Sequence, residues 1–292
     1  MVKLKHYENH EELIRSNDKF IGKIFSSNQC GQFKVIGINK LYKGKMYKPF
    51  YICQFIDTGY ECLALDTAIL KGNVKDNYCV SVFNIGFLGD YDGNKGKDLL
   101  YKTWVQMLSR CYNEQYTDYR ANCFVCDDWH CFSTFKNDCK QILGYKEMIE
   151  HQEIKYSLDK DFIFQGNNIY SKDRCCFIPQ DLNSFILNTN KNRDYEFEGF
   201  YFRKDCKKYR ASIRYKGKTK HIITTNNPKI AHEEYWKEKQ KIAHILLTEK
   251  YSYICEQIRE IIYKRLDLKH IESAKELEKA INDGYFKILE EE

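Results

Sequence analysis

The stretch Lys208-Tyr209-Arg210-Ala211-Ser212-Ile213-Arg214-Tyr215 limits the fold more than any other part of the chain. Side chains alternate across a strand, so Tyr209, Ala211 and Ile213 fall on one face and Lys208, Arg210, Ser212 and Arg214 on the other. The first face must be covered by something apolar. The second must stay in water or meet a polyanion. Between Gly199 and His221 nine Lys/Arg (Arg203, Lys204, Lys207, Lys208, Arg210, Arg214, Lys216, Lys218 and Lys220) stand against one acid, Asp205. That window carries +8, whereas the whole chain nets +6, so the remainder is slightly acidic.

The surrounding text completes a module. GFYFR precedes the central strand, Lys216-Gly217-Lys218 turns the chain, and TKHIITT returns it, which predicts three antiparallel strands. Asn227 followed by Pro228 is a helix start, because asparagine caps free amides and proline fits the first turn. The helix is expected to run from Pro228 to about Leu247, with Ile230, Ala231, Tyr235, Ile242 and Leu246 on or near one stripe. With the helix on the apolar face, the other face becomes a cationic platform that Arg203, Lys204, Lys218 and Lys220 widen. Phosphates would supply most of its affinity for DNA, and Arg210 or Arg214 would reach base edges. A solvated Lys-rich sheet face is the competing reading of the same charge run.

Elsewhere the chain reads as α+β. Residues 1 to about 17 look like a short polar helix or frayed end. From Phe20 to about Leu88 the language is β: FKVIGINKLY and KPFYICQFID join through a turn at Lys43 to Met46, and Asp57-Thr58-Gly59 closes a second hairpin. A small twisted sheet or SH3-like barrel is expected there. The glycine-rich run Gly89 to Asp98 reads as a boundary. Leu99, Leu100, Trp104, Met107, Leu108 and Cys111 then mark an amphipathic helix. A second follows from Asp127 or Asp128 as cap, with Trp129, Phe132, Phe135, Cys139 and Ile142 on one face. The block from Tyr156 to about Asn188 reads strand, loop, strand, helix. Four segments are therefore expected: a β module over 1–90, a central unit over 91–190, the sheet and helix over 199–250, and a helical tail over 251–292 docked through Ile254, Ile258, Ile261 and Ile262. Asn188 to Glu198 is the short coupling between the second and third.

Thirteen cysteines in a chain of this length, an odd number, point to reduced thiols and a cytoplasmic compartment, and the first residues lack the apolar stretch of a secretory signal. The longest apolar run, near Tyr78 to Leu88, is too short and polar to span a bilayer. Cys123-x2-Cys126, with Cys131 and Cys139 downstream or Cys111 and Cys175/Cys176, would suit a structural Zn2+, the tetrad Cys111, Cys123, Cys126 and Cys176 being one set; cysteine as a small buried hydrophobe is the alternative. Nothing in the chain calls for a small-molecule cofactor.

Two resemblances give these segments a functional expectation. GFYFRKDCKKYRASIRYKGKTKHI, with the helix that holds Ala231 and Tyr235, resembles the phage and integrase-associated form of the APETALA-two/ethylene-response-factor DNA-binding domain; Gly199, Arg203, Lys208, Tyr209 and Ala211 fall on its pattern. The resemblance implies a three-stranded sheet that reads the major groove with one helix behind it. A glycine of that pattern is replaced by the Ile222-Ile223 region.

YKTWVQMLSRCYN, VCDDWHCFSTF and SLDKDFIFQGNNIYSKDRCCFIPQDLN resemble phage HNH-type endonucleases, including homing enzymes that pair the nuclease with such a DNA-reading module. The resemblance implies a ββα unit holding Mg2+ or a similar divalent ion, with Asp159 as strand ligand and Asn183 as helix ligand, acting on double-stranded DNA inside an infected bacterial cell. The position of the family's catalytic base is occupied by Lys160, a residue suited to contacting phosphate. Asp161, His151 and His130 are the substitute bases. Structural readings stand beside each: Asp159 as a strand-end carboxylate paired with Lys160 or Arg174, Asn183 as an exposed helix residue, His130 as a packing residue, and Asn167 and Asn168 as loop formers. The alternative function is a catalytically silent DNA-binding or regulatory protein on the same scaffold.

Overall fold

The computed structural model describes residues 19–43, 49–115, 123–186, 199–215 and 217–268. The expected helix over 1–17, most of the Lys43 to Met46 turn, the Asn188 to Glu198 coupling and Lys216 lie outside them. The architecture is mixed α+β with several small sheets, and the chain divides into two compact units.

The first unit holds the described residues up to Gln141 together with Asn167–Arg174. Strands β1 (Ile24–Ser26), β2 (Gln32–Lys43), β3 (Pro49–Phe55) and β4 (Glu61–Ala64) pair antiparallel in chain order. With β1 and β4 at its edges, the sheet is an open meander, where a closed SH3-like barrel was the other expectation. Phe33, Val35, Tyr51, Cys53 and Phe55 face one core, which Ile69 of helix α1 (Asp66–Leu70) caps. The Gly89 to Asp98 run is not a domain break. Tyr91 is buried edge-on against Phe132 at 4.8 Å. Asp98 caps helix α2 (Leu99–Tyr112) by accepting from the Leu100 and Tyr101 amides at 3.0 and 3.3 Å, and it binds the Lys136 ammonium at 2.6 Å. Strand β5 (Phe124–Val125) pairs in parallel with β7 (Ile169–Tyr170). Between them in sequence, a 3-10 turn over Asp127–His130 precedes helix α3 (Phe132–Cys139); neither Asp127 nor Asp128 caps it, since Cys126 and Cys131 occupy the two cap positions.

The second unit holds Ile142–Gly166 and the described residues from Cys175 onward. Helix α4 (Tyr145–Glu150) leads to β6 (Tyr156–Asp159), which pairs antiparallel with β8 (Cys176–Pro179); helix α5 (Gln180–Ile186) follows β8 directly. Strands β9 (Phe200–Arg203), β10 (Lys208–Tyr215) and β11 (Lys218–Thr225) form an antiparallel sheet with β10 central. Helix α6 (Pro228–Ile245) starts as the sequence predicts, with Asn227 Oδ1 accepting from the Lys229 amide at 2.9 Å. It packs Ala231 against Ala211 and Phe200, while Ile230 is exposed and takes no part. A wider π-type turn over Leu246–Lys250 leads to helix α7 (Glu256–Leu266), whose Ile258 and Ile262 are buried.

The four-segment expectation therefore gives way to two units. Ile213 and Ile242 share one apolar core with Ile178, Leu182, Ile258 and Ile262, so the sheet and helix over 199–250, the ββα elements and the tail helix are one folded body. The residues before Ile142 that were assigned to the central unit belong to the first body. No helix among the described residues is long and apolar enough to cross a membrane.

Two predictions follow from this packing. Gly199 has φ of +87°, and a Cβ there would sit 2.0 Å from the Tyr235 ring of α6. Gly199→Ala is expected to destabilise the protein by about 2 kcal/mol or more, read as a lowered urea midpoint. His244 is fully buried on α6, and burial pushes its imidazole down to about 4. The unfolded chain then binds a proton that the folded chain refuses, so stability is intact above about pH 6.5 and is lost as pH falls towards 4. His244→Leu should flatten that part of the stability–pH curve in urea titrations.

Candidate functional site

Cross-strand partners in an antiparallel sheet share a face, so the register assigns every side chain of the three-stranded sheet. Lys208 lies opposite Arg203, Arg210 opposite Tyr201 and Thr224, Ser212 opposite His221, and Arg214 opposite Thr219. These form the face away from α6. On the α6 side, Tyr209 lies opposite Phe202 and Thr225, and Ala211 opposite Phe200 and Ile223. The outer strand positions contain no acid.

The register also corrects two residues. A bulge lies between the Ala211/Ile223 and Ser212/His221 pairs, with Ile222 as the extra residue. One extra residue reverses the alternation beyond it. Lys220 therefore pairs with Ile213 and Lys218 with Tyr215, on the α6 side, and Lys220 Nζ binds Glu238 of α6 at 2.7 Å. Neither lysine widens the outer face. Arg203 is on that face, but both its Nε (3.0 Å) and NH2 donate to the Asp205 carboxylate, which offsets its charge. Among the described residues, Lys204, Lys208, Arg210 and Arg214 enter no ion pair, and the half-buried Arg210 has its Nε shielded from water with no hydrogen bond.

The second cluster is at the end of β6. There the chain turns, and Asp159 Oδ1 accepts from the amides of Asp161 (3.0 Å) and Phe162 (2.7 Å). Asp159 Oδ2 accepts from Asn183 Nδ2 at 2.6 Å. The partners foreseen for a purely structural Asp159, Lys160 and Arg174, are replaced by these donors; Arg174 instead bonds Asn167 Oδ1 at 3.1 Å, within a loop that Asn167 shapes through Ile169. Burial, and then the neighbouring Asp161 carboxylate, push the Asp159 carboxyl above its ordinary range against the pull of the Asn183 amide. Asn183 is 7% exposed on α5, not the exposed helix residue of the competing reading, and its Oδ1 accepts no hydrogen bond.

The substitute bases fall elsewhere. His151 stacks on Tyr253 with ring centroids 3.7 Å apart, and its Nδ1 is 3.4 Å from Glu153. It precedes β6, whereas Asp159 ends that strand, so the full length of the strand, roughly 10 Å, separates the start of β6 from Asp159. His130 lies in the other unit, half-buried, with Nε2 3.2 Å from the Tyr112 hydroxyl. Asp161 is adjacent to Asp159 and partly exposed, with Lys160 Nζ 3.5 Å from its Oδ2; the Lys160 side chain is itself mostly buried. Arg265 of α7 was not foreseen: it donates through NH2 to the carbonyls of Asp161 (2.8 Å) and Phe162 and lies 5.0 Å over the Phe162 ring, which fixes the turn that holds Asp159. Its place in a charged tail helix offers no local signal for that contact.

Of the cysteines considered for zinc, Cys111, Cys123 and Cys126 lie in the first unit and Cys176 in the second. Cys111 and Cys123 bring their thiols to 3.1 Å. Cys176 is fully buried beside Asp159, and burial pushes its thiol well above the ordinary range. Among the described residues no three of His, Cys, Asp and Glu cluster as a metal site. A hard divalent cation is better matched by Asp159 and Asn183, two oxygen donors on adjacent elements. Mg2+ takes one or two carboxylates and completes its shell with water and substrate phosphate. The shielded, unpartnered Asn183 Oδ1 fits such a donor set.

The chain matches no protein-family model, no curated protein and no solved structure.

Asp159→Ala would strip three donors of their acceptor, and a loss of roughly 2–4 kcal/mol is expected. Asp159→Asn keeps an acceptor for the turn amides, and Asn183 can turn its amide to accept from the new donor, so thermal unfolding should show a much smaller loss.

Proposed function

We propose that the chain binds double-stranded DNA through the outer face of β9, β10 and β11 and hydrolyses a phosphodiester bond beside Asp159 and Asn183 with Mg2+ or a similar cation. The reading rests chiefly on one observation: Lys208, Arg210 and Arg214 project from an acid-free sheet face with no ion-pair partner among the described residues. Unpaired cations close together repel one another, and a phosphate backbone relieves that repulsion while releasing counterions. The finer arrangement belongs to the same proposal: an HNH-like ββα unit of β6, β8 and α5, sharing its core with an APETALA-two-like module.

In this reading Asp159 supplies charge and Asn183 a carbonyl oxygen to the cation, which would activate water and stabilise developing charge on the phosphate. The Asp161 and Phe162 amides, with Arg265 behind them, fix the carboxylate's orientation. Lys160 Nζ lies 3.5 Å from Asp161 Oδ2, and the partly exposed Asp161, two residues after Asp159, is the carboxylate this reading assigns to take a proton from water.

A second reading, a DNA-binding protein without hydrolysis, is favoured by the hydrogen bonds that already occupy both Asp159 oxygens and by Lys160 in the place of a base. Nicking of supercoiled plasmid in Mg2+ or Mn2+ separates the two. Activity abolished by Asp159→Ala and Asn183→Ala supports the nuclease; silence in every metal with binding intact leaves the second reading. Binding has its own test. Arg210→Ala with Arg214→Ala should weaken duplex affinity by about 1–3 kcal/mol for each contact that reads a base. Lys220→Ala should change it little, since its ammonium is held by Glu238. Equal loss from both sets would place the DNA on the wrong side of the sheet.

A further inference from the structure

Arg214 has two roles in the geometry. It is the last outward cation of β10, and it also lines a groove of about 1010 Å3 inside the second unit, between the β10–β11 turn and α5. That volume is at the upper end of the ~300–1,000 Å3 typical of ligand sites. Lys155, just before β6, and Lys250, in the π-type turn, add two more cations to a lining that also holds the acids Glu153 and Asp181, so the groove keeps a net positive charge of one. Lys250 is bound to Asp181 at 2.5 Å; burial pushes the Asp181 carboxyl up, yet Lys250 and the Tyr251 hydroxyl hold it below the usual carboxylate range. Lys155 is exposed and enters no ion pair among the described residues. Phe185 and Tyr215, both half-buried, supply aromatic walls, and the exposed Ser184 lies between the polar positions of α5.

We infer that this groove takes a short run of single-stranded DNA continuous with the duplex on the sheet. Cations that track a backbone, combined with aromatic side chains that accept bases of any identity, are what sequence-tolerant single-strand sites require. A volume of about 1010 Å3 suits a few unpaired nucleotides stacked on the two aromatic side chains. The continuity comes from Arg214: a strand whose phosphate meets it on the outer face has its next phosphates in reach of the groove. The inference rests on the DNA-binding reading and narrows it, making the preferred ligand a junction where duplex passes into single strand.

The test uses the full chain, metal-free buffer and fluorescence anisotropy on two labelled DNAs: a blunt duplex, and the same duplex with a single-stranded extension. The extended form should bind about tenfold more tightly. Lys155→Glu and Ser184→Glu each put an acid at an exposed groove position, and melting curves check that both variants fold. Each should erase the preference and leave blunt-duplex affinity unchanged. Equal binding of the two DNAs by the unmodified chain, or an undiminished preference in both folded variants, overturns the groove while leaving the sheet reading intact. Failure to bind either DNA overturns both.

Discussion

Covering one face of β10 is the constraint on which the second unit depends. Ala211 and Ala231 are both fully buried, and residues this small let helix and sheet backbones approach closely. With Ala211 committed to that contact, the alternation of β10 puts Lys208, Arg210 and Arg214 on the opposite face. Gly199 belongs to the same contact: the Tyr235 ring occupies the space a side chain would need. The apolar packing thus decides where the charge goes, and the core it builds continues through Ile213 into α5 and α7. Through Ile213 this sheet joins the cluster that packs beneath Asp159 and Asn183, which makes the cationic face and the candidate pair parts of one body.

Much of this is legible in the residues alone. The 2-residue period of β10, the Asn227-Pro228 start of α6 and the strand–loop–strand–helix order around Asp159 are local patterns, and local patterns survive folding. What stays hidden is set by single residues acting over distance. The extra Ile222 is the clearest case: without it, Arg214 would lie opposite Lys220 and both lysines of β11 would join the cationic face. With it they turn to α6, where Glu238 meets Lys220. No periodicity in TKHIITT announces the bulge. The domain boundaries fail for a related reason. A run such as GDYDGNKGKD reads as a linker by composition, but Tyr91 and Asp98 within it are packed and capping residues.

The cysteines illustrate the same limit. Spacing places Cys123 and Cys126 as a knuckle, yet thiol chemistry depends on which partners the fold brings close. Cys176 is opposite Asp159 on β8, where burial disfavours its thiolate, and it fills space in the second unit's core. A small apolar side chain suffices there. Cys53 on β3, opposite Cys62 on β4, is in the same position: burial pushes its thiol upward, and the residue packs as part of the sheet core.

The Asp159–Asn183 pair has a structural role that would also suit the proposed one. The carboxylate closes a turn through two amides and joins α5 through a third donor, an arrangement that stabilises the fold without any ion. Burial nonetheless pushes its carboxyl above the ordinary range, because the charged form loses hydration there. A divalent cation would relieve that cost. It would also invite the Asn183 amide to turn, since rotation by half a circle exchanges a donor for the oxygen that is now shielded and unpartnered. In the proposed reading, one amide flip would separate the ion-free from the ion-bound arrangement. A site built this way needs no rearrangement of β6, β8 or α5 to bind an ion, because the turn amides keep Asp159 in place in either state.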